Sequence, residues 1–431
     1  MTDDSRGALR NGSRRRFIKT AAGAAGAVAI GGADLLFAQR GRRGLPPPQQ
    51  SGIDRIVVVM MENRSFDHML GWVPGAIGQQ AGLAYVDRDG VSHDTYPLAP
   101  DFQGCGHPDP DHSYEGGRIE YNDGACDGWL RAGDNDLYAI GYYGQNDLPF
   151  YGVAAPNWTV CDQYFSPIMG PTFPNRLYLH CGQTDRLTNS LAPSALPTIW
   201  DRLAARDVRA RYYFSDVPFL ALWGTKYLSI SRPIAEFFDA CATGRLPPVS
   251  FVEPRFLGAA LGASNDDHPH ADIRNGQLFQ SLIYSAVTSS PEWQHTVLVF
   301  VYDEWGGFFD HVPPTFASIP AAPLTGDGTD GLRGFRVPCM VVSPFAPRAT
   351  VSHVPFDHTS ILRLIEWRWR LDPLTARDAN ATNLAEALDF GARSLDAPSY
   401  AVDPGPYFEL CPQVGEDKWS QLLAMAEILG F

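Results

Sequence analysis

Two acidic pairs, one threonine and a set of loop histidines are the residues of this chain whose types and spacing could do chemistry. Glu62-Asn63 follows the apolar run Ile56-Val57-Val58-Val59-Met60-Met61, and Asp303-Glu304 follows Thr296-Val297-Leu298-Val299-Phe300-Val301-Tyr302. Together they offer three carboxylates and an amide oxygen, the hard donors a divalent cation prefers. The competing explanation is that each acidic residue merely caps the helix after it, and finding two such pairs at the ends of two apolar runs favours the cation. Thr172 lies in the Gly/Pro-bounded stretch Pro167-Ile168-Met169-Gly170-Pro171-Thr172-Phe173-Pro174-Asn175-Arg176, with Pro174 placed to start a helix. A hydroxyl near a helix N-terminus and facing a cation can be ionised and attack phosphorus. Taken alone, a threonine in that position is a cap.

Histidines are the third ingredient. His107 and His112 lie in GHPDPDHSYEG, His268 and His270 in NDDHPHADIRNG, His311 in FFDHVPP and His358 in FDHTSILRLIE. Imidazoles in such polar loops can stabilise equatorial phosphoryl oxygens and protonate a leaving oxygen near neutral pH. Each by itself is more often a surface or structural residue than a catalytic one.

These groups meet only if the fold brings them to one edge. Continuous β-branched runs suit strands buried on both faces of a parallel sheet, and further strands are expected at 211–214, 249–252 and 337–342. Helical periodicity covers 278–287 and 360–369. Strands alternating with helices predict an α/β fold: a doubly wound, mostly parallel sheet sandwiched by helices. In such sheets ligands bind outside the carboxyl ends of the strands, where both acidic pairs fall. Residues 75–151, rich in Gly, Asp and Tyr and poor in periodicity, are expected to form a long loop-rich insertion that shapes the entrance.

The 431 residues are 45% hydrophobic and 12% aromatic, enough for a large core. The N-terminus differs from the rest. Ser13-Arg14-Arg15-Arg16-Phe17-Ile18-Lys19 precedes an uncharged Ala/Gly-rich stretch, the pattern of a twin-arginine export signal over 1–38, with cleavage after Ala33 or Ala38. The apolar run is too short and Gly-rich for a stable membrane span, which needs about 20 apolar residues. Residues 39–51 (QRGRRGLPPPQQS) read as a Pro-rich linker, and 52–431 as one catalytic domain. Residues 1–43 hold nine Lys/Arg against three Asp/Glu, so of the net −14 the remaining chain carries −20. That surface argues against nucleic acid or an anionic membrane as a tight partner. An anionic substrate stays open, because a local cation reverses the field inside one pocket. Seven cysteines with no C-x-x-C pair argue against a zinc ribbon; export permits disulfides, and the odd count leaves at least one thiol unpaired.

Glu62-Asn63-Arg64-Ser65-Phe66-Asp67-His68, then Gly170-Pro171-Thr172-Phe173-Pro174-Asn175-Arg176, then Tyr302-Asp303-Glu304-Trp305-Gly306-Gly307-Phe308-Phe309-Asp310-His311-Val312-Pro313-Pro314 resemble, in matching order, the bacterial phosphoesterase family. That family holds secreted phospholipases C and a related acid phosphatase within the alkaline-phosphatase-like superfamily, and the resemblance spans residues 52 to 370. It implies that Glu62, Asn63, Asp303 and Glu304, with the Thr172 hydroxyl, bind a divalent metal cation. Ca²⁺, Mg²⁺ and Mn²⁺ suit these oxygens, and Zn²⁺ stays open because histidines could join. Thr172 is implied as the nucleophile: a threonyl-phosphate forms with inversion and water releases it with a second inversion. His112 and His268 match family histidines near the phosphate, whereas His270 falls where the family usually has proline. Arg64, Asp67 and Asp310 are implied to hold the loops.

The family's haemolytic members carry a further C-terminal β-region, and with about sixty residues after Trp369 this chain is expected to lack it. The leading expectation is a phospholipase C-like phosphodiesterase, periplasmic or secreted, whose partners are the export machinery and a phosphate ester such as a phospholipid. An acid phosphatase-type monoesterase follows. A non-catalytic binder of a phosphorylated ligand is the reading from another class, and it has no need of a hydroxyl at position 172.

Overall fold

The computed structural model describes residues 44–320, 330–405, 407, 410–411 and 418–431; the expected export signal and the first part of the expected linker lie outside them. Residues Leu45–Phe431 form one compact unit. Within the described part of the Pro-rich stretch, Pro48–Gln50 make a single 3₁₀ turn. Ser51 is buried and Leu45 packs on the main core, so the chain already lies on the body ahead of Gly52.

The centre is an eight-stranded sheet of β1 (Arg55–Met61), β2 (Thr159–Cys161), β3 (Ala210–Phe214), β4 (Ser231–Pro233), β5 (Val249–Val252), β6 (Thr296–Tyr302), β7 (Cys339–Val342) and β8 (Thr350–Ser352). Their spatial order is β8-β2-β7-β6-β1-β5-β3-β4. Pairs β1–β5, β1–β6, β5–β3, β3–β4 and β8–β2 are parallel, while β7 runs antiparallel to both its neighbours, β6 and β2. The expected α/β, mostly parallel sheet is therefore present with one reversed strand. Strands β1 and β6 lie side by side at the centre. Apart from half-buried Arg55 at the mouth of β1, every residue of the two is buried, which is why both read as unbroken apolar runs. Strand β7 begins at Cys339 rather than at 337, since Pro338 has no N–H to give to a ladder.

The main helices are α1 (Phe66–Leu70), α2 (Tyr114–Tyr121), α3 (Thr172–Cys181), α4 (Ile199–Ala204), α5 (Ile234–Ala242), α6 (Ile273–Thr288), α7 (His358–Trp369) and α8 (Lys418–Leu429). Helix α6 buries Ile273, Phe279, Ile283 and Val287, a stripe at helical spacing, and Asp272 caps it by accepting from Arg274 N. Helix α3 is buried at all ten positions and stops at Gly182, whose φ of 65° suits a residue without Cβ. It starts at Thr172, two residues before the expected Pro174, which occupies the third position. No N–H is lost there, because the first turn has no intrahelical acceptor to offer.

Helix α7 matters because it carries His358. Its cap is Asp357, which accepts from Thr359 N at 2.8 Å, Arg333 Nε at 2.7 Å and Arg377 Nη2 at 2.9 Å. Burial works against the charge, but Arg377, Arg333 and the Thr359 hydroxyl hold this carboxyl well below the usual carboxylate range. A folded pKa below the unfolded value of about 3.9 gives stability that is present above that pH and lost as pH falls towards the folded value. Asp357→Asn should cost about 3 kcal/mol at pH 7. That gap should narrow by about 1.4 kcal/mol for each pH unit below 3.9. Denaturant titrations of both proteins between pH 7 and pH 3 check this, and a pH-independent gap refutes it.

The expected insertion, 75–151, is ordered by small pieces. Ala84–Val86 pairs with Ser92–Asp94, Tyr96–Pro97 pairs with Gly141–Tyr142, and α2 lies between. A second, smaller core of Trp129, Ile140, Met169, Trp305, Phe309 and Phe335 joins this insertion to the loop after β6. Composition concealed it because its apolar residues come from distant stretches without a period.

Candidate active site

Strands β1 and β6 pair in register up to Met61 opposite Tyr302, so Glu62-Asn63 and Asp303-Glu304 leave neighbouring strands side by side. All four are buried. Asn63 adopts φ 56°, a left-handed conformation that asparagine accepts better than most residues. Its N–H donates to Asp303 Oδ1 at 3.1 Å, which also accepts from Glu304 N at 2.8 Å. Gly306, at φ 66°, passes so close that a Cβ there would meet Asn63 O at 2.2 Å. In the ENRSFDH motif, Ser65 caps α1 and donates to Phe309 O at 2.6 Å. Arg64 donates from Nε to Asp267 O at 2.7 Å and lies over the Phe308 ring. Asp67 and Asp310 both accept from Arg336 in a separate buried network, the loop-holding part the resemblance implies.

Thr172 opens α3, and the turn before it is pinned by Asn175. That side chain donates to Gly170 O at 2.6 Å and Pro171 O at 3.1 Å and accepts from Ile168 N at 3.1 Å. The Thr172 hydroxyl donates to Asn63 Oδ1 at 3.4 Å. Thr172 thus stands at the head of a helix and against the first acidic pair.

Whether these residues fit a cation can be judged from the atoms left unpaired. Glu62 Oε1 and Glu304 Oε1 are buried and accept no hydrogen bond. The cationic or polar groups nearest them stand off: Lys418 Nζ is 3.6 Å and Arg176 Nε 4.0 Å from Glu62 Oε1, and His112 Nε2 is 3.8 Å from Glu304 Oε1. Burial and the neighbouring Asp303 push the Glu304 carboxyl well above its usual range. Burial also pushes Asp303 up to about 7; Arg176 opposes this and Glu62 adds to it. Three buried carboxylates crowded together carry an electrostatic cost that a divalent cation offsets. Glu62, Glu304, Asn63 Oδ1 and Thr172 Oγ1 fit as hard oxygen donors.

Asp303 is already engaged, because its Oδ2 accepts from Arg176 Nε at 3.0 Å. Among the described residues, the His/Asp/Glu groups whose ligand atoms lie within 4.8 Å of one another are Asp109-His112-His268 and Asp67-Asp310-His311. Glu62, Asp303 and Glu304 do not form such a triple here.

Arg176 is the main residue that sequence reasoning left without a role. It is fully buried and pairs with Asp303 and, through Nη1, with Glu253. Burial pushes Glu253 up to about 6, against the pull of Arg176. Both had a signal. Arg176 is one helical turn after Thr172, and Glu253 follows the apolar run of β5 just as Glu62 follows β1. Trp419 had none: from the far end of the chain its Nε1–H donates to Glu62 Oε2 at 3.0 Å.

The histidines divide into two groups. His112 Nδ1–H donates to Pro110 O at 2.7 Å, which leaves the Nε2 lone pair to accept from Asn63 Nδ2 at 3.1 Å. The His268 ring lies 5.8 Å from that of His112, with Nε2 at 3.5 Å from Asp109. Burial pushes His268 down to about 3, with Asp109 opposing. His112 touches both acidic pairs, through Asn63 and Glu304, and His268 joins it and Asp109 in one cluster. The others brace the structure. His270 donates to His107 O, His311 pairs with Asp67, and fully buried His358 donates to Asp303 O at 2.7 Å.

Comparison with known proteins bears on this arrangement. The profile of the Phosphoesterase family matches residues 53–372. Non-specific phospholipase C6 of Arabidopsis thaliana is 31% identical over 378 residues, covering 79% of this chain and 72% of that protein. Phospholipase C B of Mycobacterium tuberculosis is 31% identical over 459 residues, covering 88% and 86%. Among solved structures, the phosphonate monoester hydrolase of Agrobacterium radiobacter aligns at a TM-score of 0.39 and 12% identity, over 78% of this chain and 77% of that one.

Proposed function

Because this chain belongs to the phosphoesterase family and is a hydrolase of phosphoester bonds, we propose that it is a cation-dependent, phospholipase C-like phosphodiesterase with Thr172 as its nucleophile. The observation that carries this is the Thr172 hydroxyl at the head of α3, bonded to Asn63 of the first acidic pair, in a site where Glu62 and Glu304 each keep one buried oxygen without a hydrogen bond. A binder would gain nothing from a hydroxyl there. Two relatives named as phospholipases C favour the diester over the monoester.

A cation held by Glu62, Asn63, Glu304 and Thr172 would polarise the phosphoryl oxygens and acidify the hydroxyl beside it. Asp303, held by Arg176 through Oδ2, would add a free lone pair to the same cation. Thr172 Oγ attacks phosphorus, and the bond to the leaving alcohol breaks. His112, whose Nε2 accepts from Asn63 beside Thr172, would give up that bond to take the proton Thr172 loses and would pass the proton to the leaving alkoxide. His268, beside His112 and Asp109, would donate to the phosphoryl oxygens from Nε2 when a bound phosphate supports the second ring proton. Water then releases the phosphoryl group from Thr172, so configuration at phosphorus is retained overall.

Two further parts of the reading concern the setting. The Arg-rich leader over 1–38 supports export by the twin-arginine route to the periplasm or beyond, and a disulfide between Cys105 and Cys411 agrees with an oxidising compartment. Among the described residues, no helix is long and apolar enough to cross a membrane.

The test is turnover of p-nitrophenylphosphorylcholine and p-nitrophenyl phosphate with and without a chelator. The diester should be cut faster, the rate should fall at least about 100-fold on chelation, and Ca²⁺, Mg²⁺ or Mn²⁺ should restore it. A rate indifferent to chelation refutes the cation. A faster monoester makes the protein a phosphatase, and no turnover of either leaves only a binder.

A further inference from the structure

The C-terminal helix reaches the acidic pairs from more than a hundred residues beyond the last strand-end motif. Trp419 is 1% exposed, stacks on Phe256 at 3.8 Å between ring centroids and lies against Phe173. Its indole N–H is a donor only, and it is spent on Glu62 Oε2 at 3.0 Å. The effect on Glu62 is geometric. With Oε2 tethered, Oε1 is the oxygen left unpaired in the pocket, where the Lys418 ammonium stands 3.6 Å away.

What brings this helix to the site is a strap along the body. Leu395 O accepts from Trp293 and Pro398 O from Tyr284. Tyr407 O accepts from Asn275 at 2.7 Å, and the Tyr407 ring lies under the Arg274 guanidinium at 4.3 Å. Among the described residues Cys411 is the last before α8, and it is disulfide-bonded to Cys105 across 306 residues of sequence. Cys105 belongs to the same loop as His112. The other five cysteines are buried and unpaired, so this is the one covalent cross-link among the described residues.

We infer that Trp419 is a positioning residue of the cation site, fixing which oxygen of Glu62 faces the cation, and that the Cys105–Cys411 disulfide is the tie that holds it there. The inference rests on the cation reading above and adds that cation affinity is set by the C-terminus. Residues that orient metal ligands typically change affinity by about 10- to 100-fold when altered. Coupling between sites is reciprocal, so the cation must in turn steady α8.

Calorimetric titration of the full-length protein with Mn²⁺ tests this. Trp419→Phe keeps a ring for Phe256 to stack on and removes the donor to Glu62 together with part of the indole face beside Arg176; its Kd for Mn²⁺ should rise about 10- to 100-fold. Cys105→Ser/Cys411→Ser should raise Kd about 10-fold, and excess Mn²⁺ should recover the lost turnover in both variants. In the unaltered protein, Mn²⁺ should slow amide hydrogen exchange across 418–429, a readout that needs no variant. Folded variants with the parental Kd, or exchange in α8 indifferent to Mn²⁺, overturn the inference and leave the cation reading standing. A parent that binds no Mn²⁺ removes the cation reading and this inference together.

Discussion

Thr172→Ala loses turnover of p-nitrophenylphosphorylcholine by about 10⁴-fold or more while keeping its fold and, through the remaining oxygen donors, a weakened hold on the cation. The size follows from what the residue does in the proposed reaction, where it forms and breaks the bond to phosphorus. Its structural part is slight: a single long hydrogen bond, at 3.4 Å, to Asn63. The pinning of the turn belongs to Asn175, which the substitution leaves alone. The melting temperature should therefore stay within a few degrees of the parent. Thr172→Ser keeps a hydroxyl and should retain a measurable fraction of the rate. Acid-quenched parent should yield a phosphorylated peptide containing residue 172. A Thr172→Ala rate within tenfold of the parent, or a phosphoryl group trapped elsewhere, assigns the nucleophile to another residue.

Arg176→Met carries the largest expected cost to stability. The guanidinium is fully buried and answers Asp303 and Glu253, with Glu62 at the edge of its reach. Methionine fits the stem of the cavity and leaves those carboxylates without their counter-charge. Removing one partner from a buried ion network costs about 3–5 kcal/mol. Arg176→Lys keeps the charge and loses the fork that spans two carboxylates, so it should fall between. Mn²⁺ should recover part of the stability of Arg176→Met, because a second source of positive charge relieves Glu62 and Asp303. Denaturant midpoints with and without Mn²⁺ measure both effects. A loss under about 1 kcal/mol would show that the carboxylates are neutral when Arg176 is gone and that the network does not hold the site.

The parts of this site that were legible in the sequence share one physical cause. A strand buried on both faces must be apolar at nearly every position, so the jump from Met61 to Glu62 and from Tyr302 to Asp303 marks where the sheet ends and chemistry begins. Glu253 obeys the same rule after β5 and was passed over because it has no acidic or amide neighbour to make a pair. Strand direction was not legible, since an apolar run reads the same in either sense, and β7 runs against its neighbours. The three-residue strands β2, β4 and β8 are too short to show a period. Arg176 stood inside a recognised motif, but its partners come from three other strands and only the fold brings them together. Trp419 lay beyond sequence reasoning altogether, because its approach to Glu62 depends on a disulfide and a strap that leave no local pattern. His270 shows the opposite case, a histidine beside a site residue whose ring serves the backbone of His107.

The pairing of β1 with β6 carries one more consequence. Side chains alternate between the two faces of a strand, so a shift of a single residue sends every one of them to the opposite face. In the central pair, slippage by one residue would take Glu62 and Asn63 out of register with Asp303 and Glu304 and break the contact of Asn63 with Thr172. A volume-conserving exchange such as Met60→Leu costs under about 1.5 kcal/mol, whereas a codon gained or lost between Arg55 and Met61 would shift the whole acidic edge out of register. The site is indexed by strand length, and length is the inherited quantity to which its chemistry is most sensitive.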